Sequence, residues 1–438
     1  MSVDIVEVRL WGTRIGAVSW DPDRGLAAFE YDPAFRRSGI ELAPLQMPLG
    51  PGIWTFPDLS RETFKGLPGM IADALPDKFG TALIDAWLVR NGRDVGSFSP
   101  VERLCYVGSR GMGALEFAPA IERNPTPEVQ LDIAELVSLA QQAIAPKETL
   151  QLDVDAGPDA ADLTEIIRVG TSAGGARAKA VVAWNEVTGE VRSGQVDQPP
   201  EFTHWLLKFD GVDGNRDKEL ADPLGFGRIE FAYSAMARAA GITMPQTRLL
   251  EEGGRAHFMT KRFDRVDGDR LHQQTLTAIA HFDFNLAGAY SYEQALRVMR
   301  QLGLAAPDLV EQFRRAVFNV VSRNQDDHTK NISFLMDRAG RWSLSPAYDM
   351  TYAYNPAGAW TRSHQMSLNG KRDDFDRSDL ATLGVAADLS EREGLKIVDE
   401  IVEAVAEWPS FAADAAVPAE QATGIEQTLR LSLGANSR

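Results

Sequence analysis

Residues 324–331 read "NQDDHTKN", eight polar residues in a row with two adjacent aspartates. Upstream, Leu309, Val310, Phe313, Val317, Val320 and Val321 fall on one helical face. Downstream, "ISFLMD" and "WSLSPAYD" read as two strands of a hairpin across Arg338–Gly340. A helix therefore delivers the chain to a polar loop, and a hairpin brings it back. Adjacent like charges repel and stabilise no fold unaided, so the loop needs another reason to exist.

Its spacing supplies one. Asp326 and Asn331 form D-x-x-x-x-N, and Asp349 follows one hairpin later. Phosphoryl transfer by protein kinases uses these three groups: a carboxylate that accepts the hydroxyl proton, and an amide oxygen and second carboxylate that hold Mg²⁺ against nucleotide phosphates. Mg²⁺ prefers oxygen ligands and keeps several waters, so one Asn and one Asp suffice. Two other readings stand beside this one. The stretch can be a solvated, helix-capping loop, or Asp326, Asp327, His328 and Asp349 can form a zinc or two-metal hydrolase site. The chain has only six histidines, with no second one near His328 at ligand spacing.

Working outward, "GTSAGGARAK" (170–179) resembles a phosphate-binding turn, where small residues let backbone N–H groups approach an anion. It lacks both the Walker spacing and the G-x-G-x-x-G of ordinary kinases. Lys208 ends the apolar strand "HWLLKFD", and the next amphipathic helix, "RIEFAYSAMARAAG", carries Glu230. That order matches the strand lysine and helix glutamate ion pair of kinases. Glycine loop, strand Lys, helix Glu, Asp/Asn loop and final Asp occur in one consistent series.

The remaining chain reads as follows. "VEVRLWGTRIGAVSW" is a hairpin turning at Gly12–Thr13, and "AAFEYD" a third strand. "FKGLPGMIADALPDKFG" (64–80) leads into a helix ending at Gly92, "LCYVGSRGMGALEFAP" reads as two strands around a glycine turn, and a helix spans 131–144. The stretch "APKETLQLDVDAGPDA" reads as a linker, "QTRLLEE" and "RAHFMTKRFD" pair around Gly253–Gly254, and the last 65 residues form acidic amphipathic helices. The expected division is 1–120, 121–265 and 266–438. A net charge of −17 opposes direct binding to nucleic acid or anionic membrane. One cysteine, Cys105, forbids an intrachain disulfide and fits a reducing compartment. No signal pattern or membrane-length apolar run is present, so a cytoplasmic location is expected.

On these residues the chain resembles the HipA family of bacterial toxin kinases. The likeness covers nearly the whole length. "LWGTRIGAVSW…FEYDPAF", "GLPGMIADALPDKFG", "YVGSRGMGALEF", the glycine loop, "MTKRFDR", "DDHTKN" and "SPAYD" fall in family order. The resemblance implies an atypical Ser/Thr kinase that phosphorylates an aminoacyl-tRNA synthetase with ATP and Mg²⁺, arresting translation and favouring persistence. It implies a small helix-turn-helix antitoxin, HipB-like, as partner, with operator DNA bound only through that complex. By the same resemblance Asp326 is the proton acceptor, and Asn331 and Asp349 are the Mg²⁺ ligands. Lys208 is the ATP-phosphate lysine, and Gly174, Gly175, Ala176, Arg177, Ala178 and Lys179 form the phosphate loop. Lys261, Arg262 and Phe263 form the adenine hinge, with His328, Lys330 and Tyr348 completing the nucleotide set. Ser172 matches a loop serine whose autophosphorylation silences the enzyme.

The expected fold is α/β plus mainly α: a bilobal, atypical protein-kinase-like fold with an N-terminal α/β region and a helical C-terminal lobe. A catalytically weak adaptor or co-repressor acting through a DNA-binding partner is the alternative function, with the metal-dependent phosphohydrolase as a third.

Overall fold

The computed structural model describes residues 3–90, 92–120, 130–144, 170, 177–196, 198–212, 224–266 and 268–433. The first sheet has strands β1 (Ile5–Leu10), β2 (Thr13–Asp21), β3 (Leu26–Tyr31), β4 (Ile53–Trp54) and β5 (Leu115–Ala118), in the order β4-β3-β2-β1-β5. Leu10 pairs with Thr13, so the turn falls on Trp11 and Gly12, one residue earlier than expected. Both have positive φ, 49° and 77°. A two-residue hairpin with two left-handed positions matches the twist of its strands. The non-glycine member is held from outside, because the Trp11 indole N–H donates to the Arg270 carbonyl at 2.6 Å.

"LCYV" is helical rather than extended. It ends the helix Pro100–Val107, whose Ser99 and Glu102 exchange side-chain and backbone hydrogen bonds as a capping box, with Pro100 in the first turn. Ser-x-x-Glu with proline at the first helical position is a helix start, and it overrides the apolar strand-like run that follows. Cys105 is fully buried in that helix.

The second sheet contains β6 (Lys179–Trp184), β7 (Val191–Ser193), β8 (Thr203–Lys208), β9 (Thr247–Glu252) and β10 (Arg255–Lys261), in the order β7-β6-β8-β10-β9. All six residues of β6 are buried. The helices Lys78–Arg90 and Ile133–Ile144 bury Leu83, Leu88, Leu136 and Ala140 in one cluster with Val182 and Leu207 of this sheet. The helix Phe226–Ala239 instead buries Tyr233 and Met236 in the large C-terminal core. The expected linker "APKETLQLDVDAGPDA" lies outside the described residues.

After the short pair β11 (Arg265–Val266) and β12 (Asp269–Arg270) comes a three-stranded sheet. It runs β13 (His272–Thr275), β14 (Ser333–Met336) and β15 (Trp342–Leu344), side by side in that order. The β14–β15 hairpin is the expected one, whereas β13, with sequence "HQQT", lacks the apolar alternation that marks a strand. The helix Ala306–Ser322 runs through the C-terminal core, with Phe313, Val317, Val320 and Val321 fully buried. Helices Arg377–Ala386, Glu391–Ala406, Trp408–Asp414 and Ala419–Glu426 close that lobe.

Polar clamps join the parts. Asp264, at the end of the second sheet, accepts from Arg262, Arg265 and the Gly113 N–H, and both arginines also reach the Gly111 carbonyl. Burial opposes ionisation of Asp264, but the two guanidinium groups overcome it and hold its carboxyl well below the usual range. Asp73 accepts from the Thr275 N–H and hydroxyl, each at 2.8 Å, tying the Gly-Pro segment to the C-terminal lobe.

Candidate active site

The loop "NQDDHTKN" lies in a cleft between the second sheet and the helical lobe. Among the described residues the cleft encloses about 560 Å³ and is lined by Asp326, Asn331, Asp349, Lys208, Lys179 and Phe263, among others. That volume suits a nucleotide-sized ligand. The helix Ala306–Ser322 ends just before the loop, and Asn324 then ties two segments together. Its Nδ2 donates to Asn319 Oδ1 at 2.9 Å and to the Asp349 carbonyl at 3.2 Å. Gln325 N–H donates to the Ala353 carbonyl at 3.0 Å. The loop and the segment after β15 therefore sit side by side, as the hairpin required.

The two aspartates diverge. The His328 N–H donates to the Asp326 carbonyl at 3.0 Å, an i→i+2 turn centred on Asp327. Asp327 is buried and accepts from Tyr292 Oη (2.6 Å), His364 Nδ1 (2.7 Å) and the Gln365 N–H (2.7 Å). Arg430 Nη1 donates to His364 Nε2 at 3.0 Å, which makes Nε2 the acceptor and places the imidazole proton on Nδ1, facing Asp327. Asp326 keeps a side chain 40% exposed toward the cleft. Its Oδ1 accepts from the Trp360 indole N–H at 2.6 Å.

Asn331 closes the short 3₁₀ turn Thr329–Asn331. Its Nδ2 donates to the Asp326 carbonyl at 2.9 Å. A carbonyl only accepts, so the nitrogen must face it, and the amide oxygen is left for a cation. Asp349 has φ of 53°, a left-handed conformation that Asp tolerates better than most residues. Its Oδ1 pairs with Lys208 Nζ. Burial pushes the Asp349 carboxyl up, but Lys208 prevails and holds it down at about 2. Lys208 also meets Glu230 Oε1 at 2.5 Å. Burial works against its charge, and Asp349 and Glu230 together raise its pKa above the ordinary value. Arg177 joins the group at 3.7 Å from Glu230 and lies 3.5 Å over the Phe226 ring.

The other expected residues separate. Ser172, Gly174, Gly175 and Ala176 lie outside the described residues. Ala178 is buried, its carbonyl accepting from the Phe209 N–H at 3.0 Å. Lys179, expected to reach phosphate from the loop, is buried on β6 and pairs with Asp77 at 2.8 Å. Burial lowers the pKa of Lys179 and raises that of Asp77, each partly offset by the other's charge. In the hinge, the Lys261 and Arg262 N–H groups already donate to the Gln246 and His204 carbonyls at 2.8 and 2.9 Å. An adenine there must use other backbone groups, and the Arg262 side chain belongs to the Asp264 clamp. Phe263 and Tyr348 rings lie 5.8 Å apart, and Tyr348 Oη donates to the Lys330 carbonyl at 2.7 Å. Lys330 Nζ is 5.3 Å from the Phe284 ring centre, and the His328 ring is 5.4 Å from it.

The donor set fits Mg²⁺: an oriented amide oxygen and a carboxylate held ionised, both oxygens. It does not fit zinc. Among the described residues no three His, Cys, Asp or Glu side chains converge as a metal cage. Asp327, needed for the hydrolase reading, is used up by Tyr292, His364 and Gln365.

Asp77 and Trp360 are residues that sequence reasoning left without a role. Asp77 stands directly before a helix, the place of a capping residue, and its Oδ1 accepts from the Gly80 N–H at 2.6 Å. Nothing local points from there to Lys179, or from Trp360 to Asp326.

Comparison with known proteins places this geometry in context. The HipA N-terminal domain family matches residues 6–118, and the HipA-like C-terminal domain family matches residues 171–408. Two proteins of Sinorhizobium fredii are similar over part of the chain. "Putative kinase Y4dM" is 29% identical over 197 residues, covering 41% of this chain and 47% of that protein. "Putative kinase Y4mE" is 28% identical over 186 residues, covering 39% and 44%. The chain thus matches about half the length of each relative. Shewanella oneidensis HipA, solved in a complex with HipB and operator DNA, superposes with a TM-score of 0.62 at 16% identity. That superposition covers 96% of this chain and 94% of the other. The likeness establishes the α/β, kinase-like fold with its helical C-terminal lobe.

Proposed function

The chain belongs to the HipA family, and on that premise we propose that it is an ATP-dependent Ser/Thr protein kinase, the toxin of a toxin–antitoxin pair. One observation carries the reading: Lys208 bridges Glu230 of the helix and Asp349 behind the hairpin. A strand lysine fixed by a helix carboxylate is the phosphate-binding device of kinases, and its second partner is the carboxylate suited to the metal.

The chemistry assigned to each residue follows from its surroundings. Lys208 and Arg177 offer positive charge to the phosphates of ATP. Asp326, exposed to the cleft, accepts the proton of a Ser or Thr hydroxyl as that oxygen bonds to the γ-phosphorus and the bond to ADP breaks. Asn331 and Asp349 present oxygens to Mg²⁺, which when bound neutralises charge on the phosphates. Asp327 anchors the loop from below. Phe263, Tyr348 and the 261–263 backbone form the base-binding side, and His328 and Lys330 border it. Glu230 orients Lys208.

A small helix-turn-helix antitoxin is the proposed partner, supported by the HipB and operator DNA in the solved relative's complex. With a net charge of −17, the chain would reach operator DNA through that basic partner. The proposed acceptor is an aminoacyl-tRNA synthetase, with Ser172 as the site of inhibitory autophosphorylation. No helix among the described residues is long and apolar enough to cross a membrane.

The test is incubation of wild-type protein, Asp326→Gln and Asp349→Gln with γ-labelled ATP, Mg²⁺ and cell lysate. Removing a general base costs about 10²–10⁴-fold in rate. Asp326→Gln should bind ATP normally and lose transfer. Label transfer undiminished in Asp326→Gln would remove Asp326 from the base role, and no transfer by the wild type above lysate alone would sink the kinase assignment and leave the co-repressor reading.

A further inference from the structure

We propose that Trp360 is a positioning residue for the carboxylate of Asp326, a proposal that rests on the kinase reading above. The indole N–H is a donor only, and at 2.6 Å it commits Asp326 Oδ1. Oδ2 is then the oxygen left for the acceptor hydroxyl. A half-exposed carboxylate rotates freely about its side-chain bonds, and a base that rotates spends little time aligned with its proton. Anchoring one oxygen removes that freedom without using the other.

The anchor is itself built from below. The Trp360 carbonyl accepts from Gln365 Nε2 at 2.6 Å. The same nitrogen lies 3.0 Å from the Ser363 carbonyl and 3.2 Å from the Gln325 carbonyl, one residue before Asp326. Gln365 is 3% exposed, and its N–H holds Asp327 at 2.7 Å. Residues 360–365 therefore grip both aspartates from one turn, Trp360 the outer and His364 with Gln365 the inner. The indole also lines the cleft. Its place is set by a buried amide rather than by solvent-facing contacts alone.

Trp360→Phe removes the N–H and keeps an aromatic ring. In the whole 438-residue chain, kcat for transfer of the γ-phosphate should fall about tenfold, as expected when a general base loses its fixed alignment with the proton it accepts. The KM for ATP and the unfolding midpoint should stay at the wild-type values. Independently of activity, the indole N–H resonance that Trp360→Phe deletes should shift in Asp326→Gln. Unchanged kcat in Trp360→Phe, a parallel loss of ATP KM and thermal stability, or an unmoved resonance would each overturn the proposal. Failure of the kinase reading looks different, because the wild-type protein itself would then transfer no label, leaving no kcat for Trp360→Phe to lower.

Discussion

Replacing Asp77 by Asn removes one charge from a buried pair and little else. Asp77 and Lys179 side chains are 3% and 2% exposed and meet at 2.8 Å. Asn keeps an oxygen for the Gly80 N–H that Asp77 also holds. Leaving one member of a buried pair alone costs about 3–5 kcal/mol. The lysine sets its own bound. Burial already pulls Lys179 below its ordinary 10.5, with Asp77 pulling it back. With the charge of Asp77 removed, it can escape by shedding its proton. Near neutral pH that escape spans about three pH units, or about 4 kcal/mol, so the loss should not exceed that. The folded variant then carries fewer protons than the unfolded chain, so its stability rises with pH. The deficit against wild type should be about 3–4 kcal/mol near neutrality and about 2 kcal/mol a pH unit and a half higher. Asp77→Ala, which also gives up the helix cap, should cost about 1 kcal/mol more. Urea unfolding of the three proteins at two pH values measures all of this. A deficit under about 1 kcal/mol near neutrality, or one that does not shrink as pH rises, would refute the buried-charge argument.

Two other substitutions test the surroundings. Asp349→Asn keeps a residue that tolerates φ of 53° while removing the charge that Lys208 faces; calorimetry should show ATP binding weakened about tenfold or more with Mg²⁺ present, and unchanged affinity would argue against a metal role. Gly69→Ala places a Cβ 2.4 Å from both the Ala278 carbonyl and His281 Cδ2. It should cost about 1–3 kcal/mol in thermal unfolding, and an unaltered midpoint would show that the close packing of the Gly-Pro segment on the C-terminal lobe is looser than described.

Much of the fold could be read from local pattern. The helix Ala306–Ser322 announced itself by apolar spacing, and β14–β15 and β9–β10 by strand alternation around turn residues. Those signals are local because a helix or hairpin buries its own neighbours. The helix Pro100–Val107 was obscured because its apolar residues mimic a strand, although Ser99 and Glu102 stand at the capping-box spacing that marks a helix start. β13 carries "HQQT", and what its polar side chains meet is set by the fold rather than by sequence neighbours: Gln274 Nε2 donates to the Leu42 carbonyl at 2.6 Å. The meeting of Lys208, Glu230 and Asp349 could be expected from motif order. Lys179 with Asp77, 102 residues apart, could not, since neither has a local signature for the other.

The adjacent aspartates show where such reading stops. A tight turn centred on Asp327 sends neighbouring side chains apart, so one carboxylate can enter the body while the other faces the cleft. Burying the inner one is tolerable only because three donors meet it, from Tyr292, His364 and Gln365. A buried carboxylate missing such partners would protonate or unfold the loop. Each donor comes from at least 35 residues away in sequence. The motif alone therefore identifies a pair of aspartates and cannot order them. The order is decided by distant residues that satisfy one aspartate completely and leave its neighbour an oxygen for the cleft.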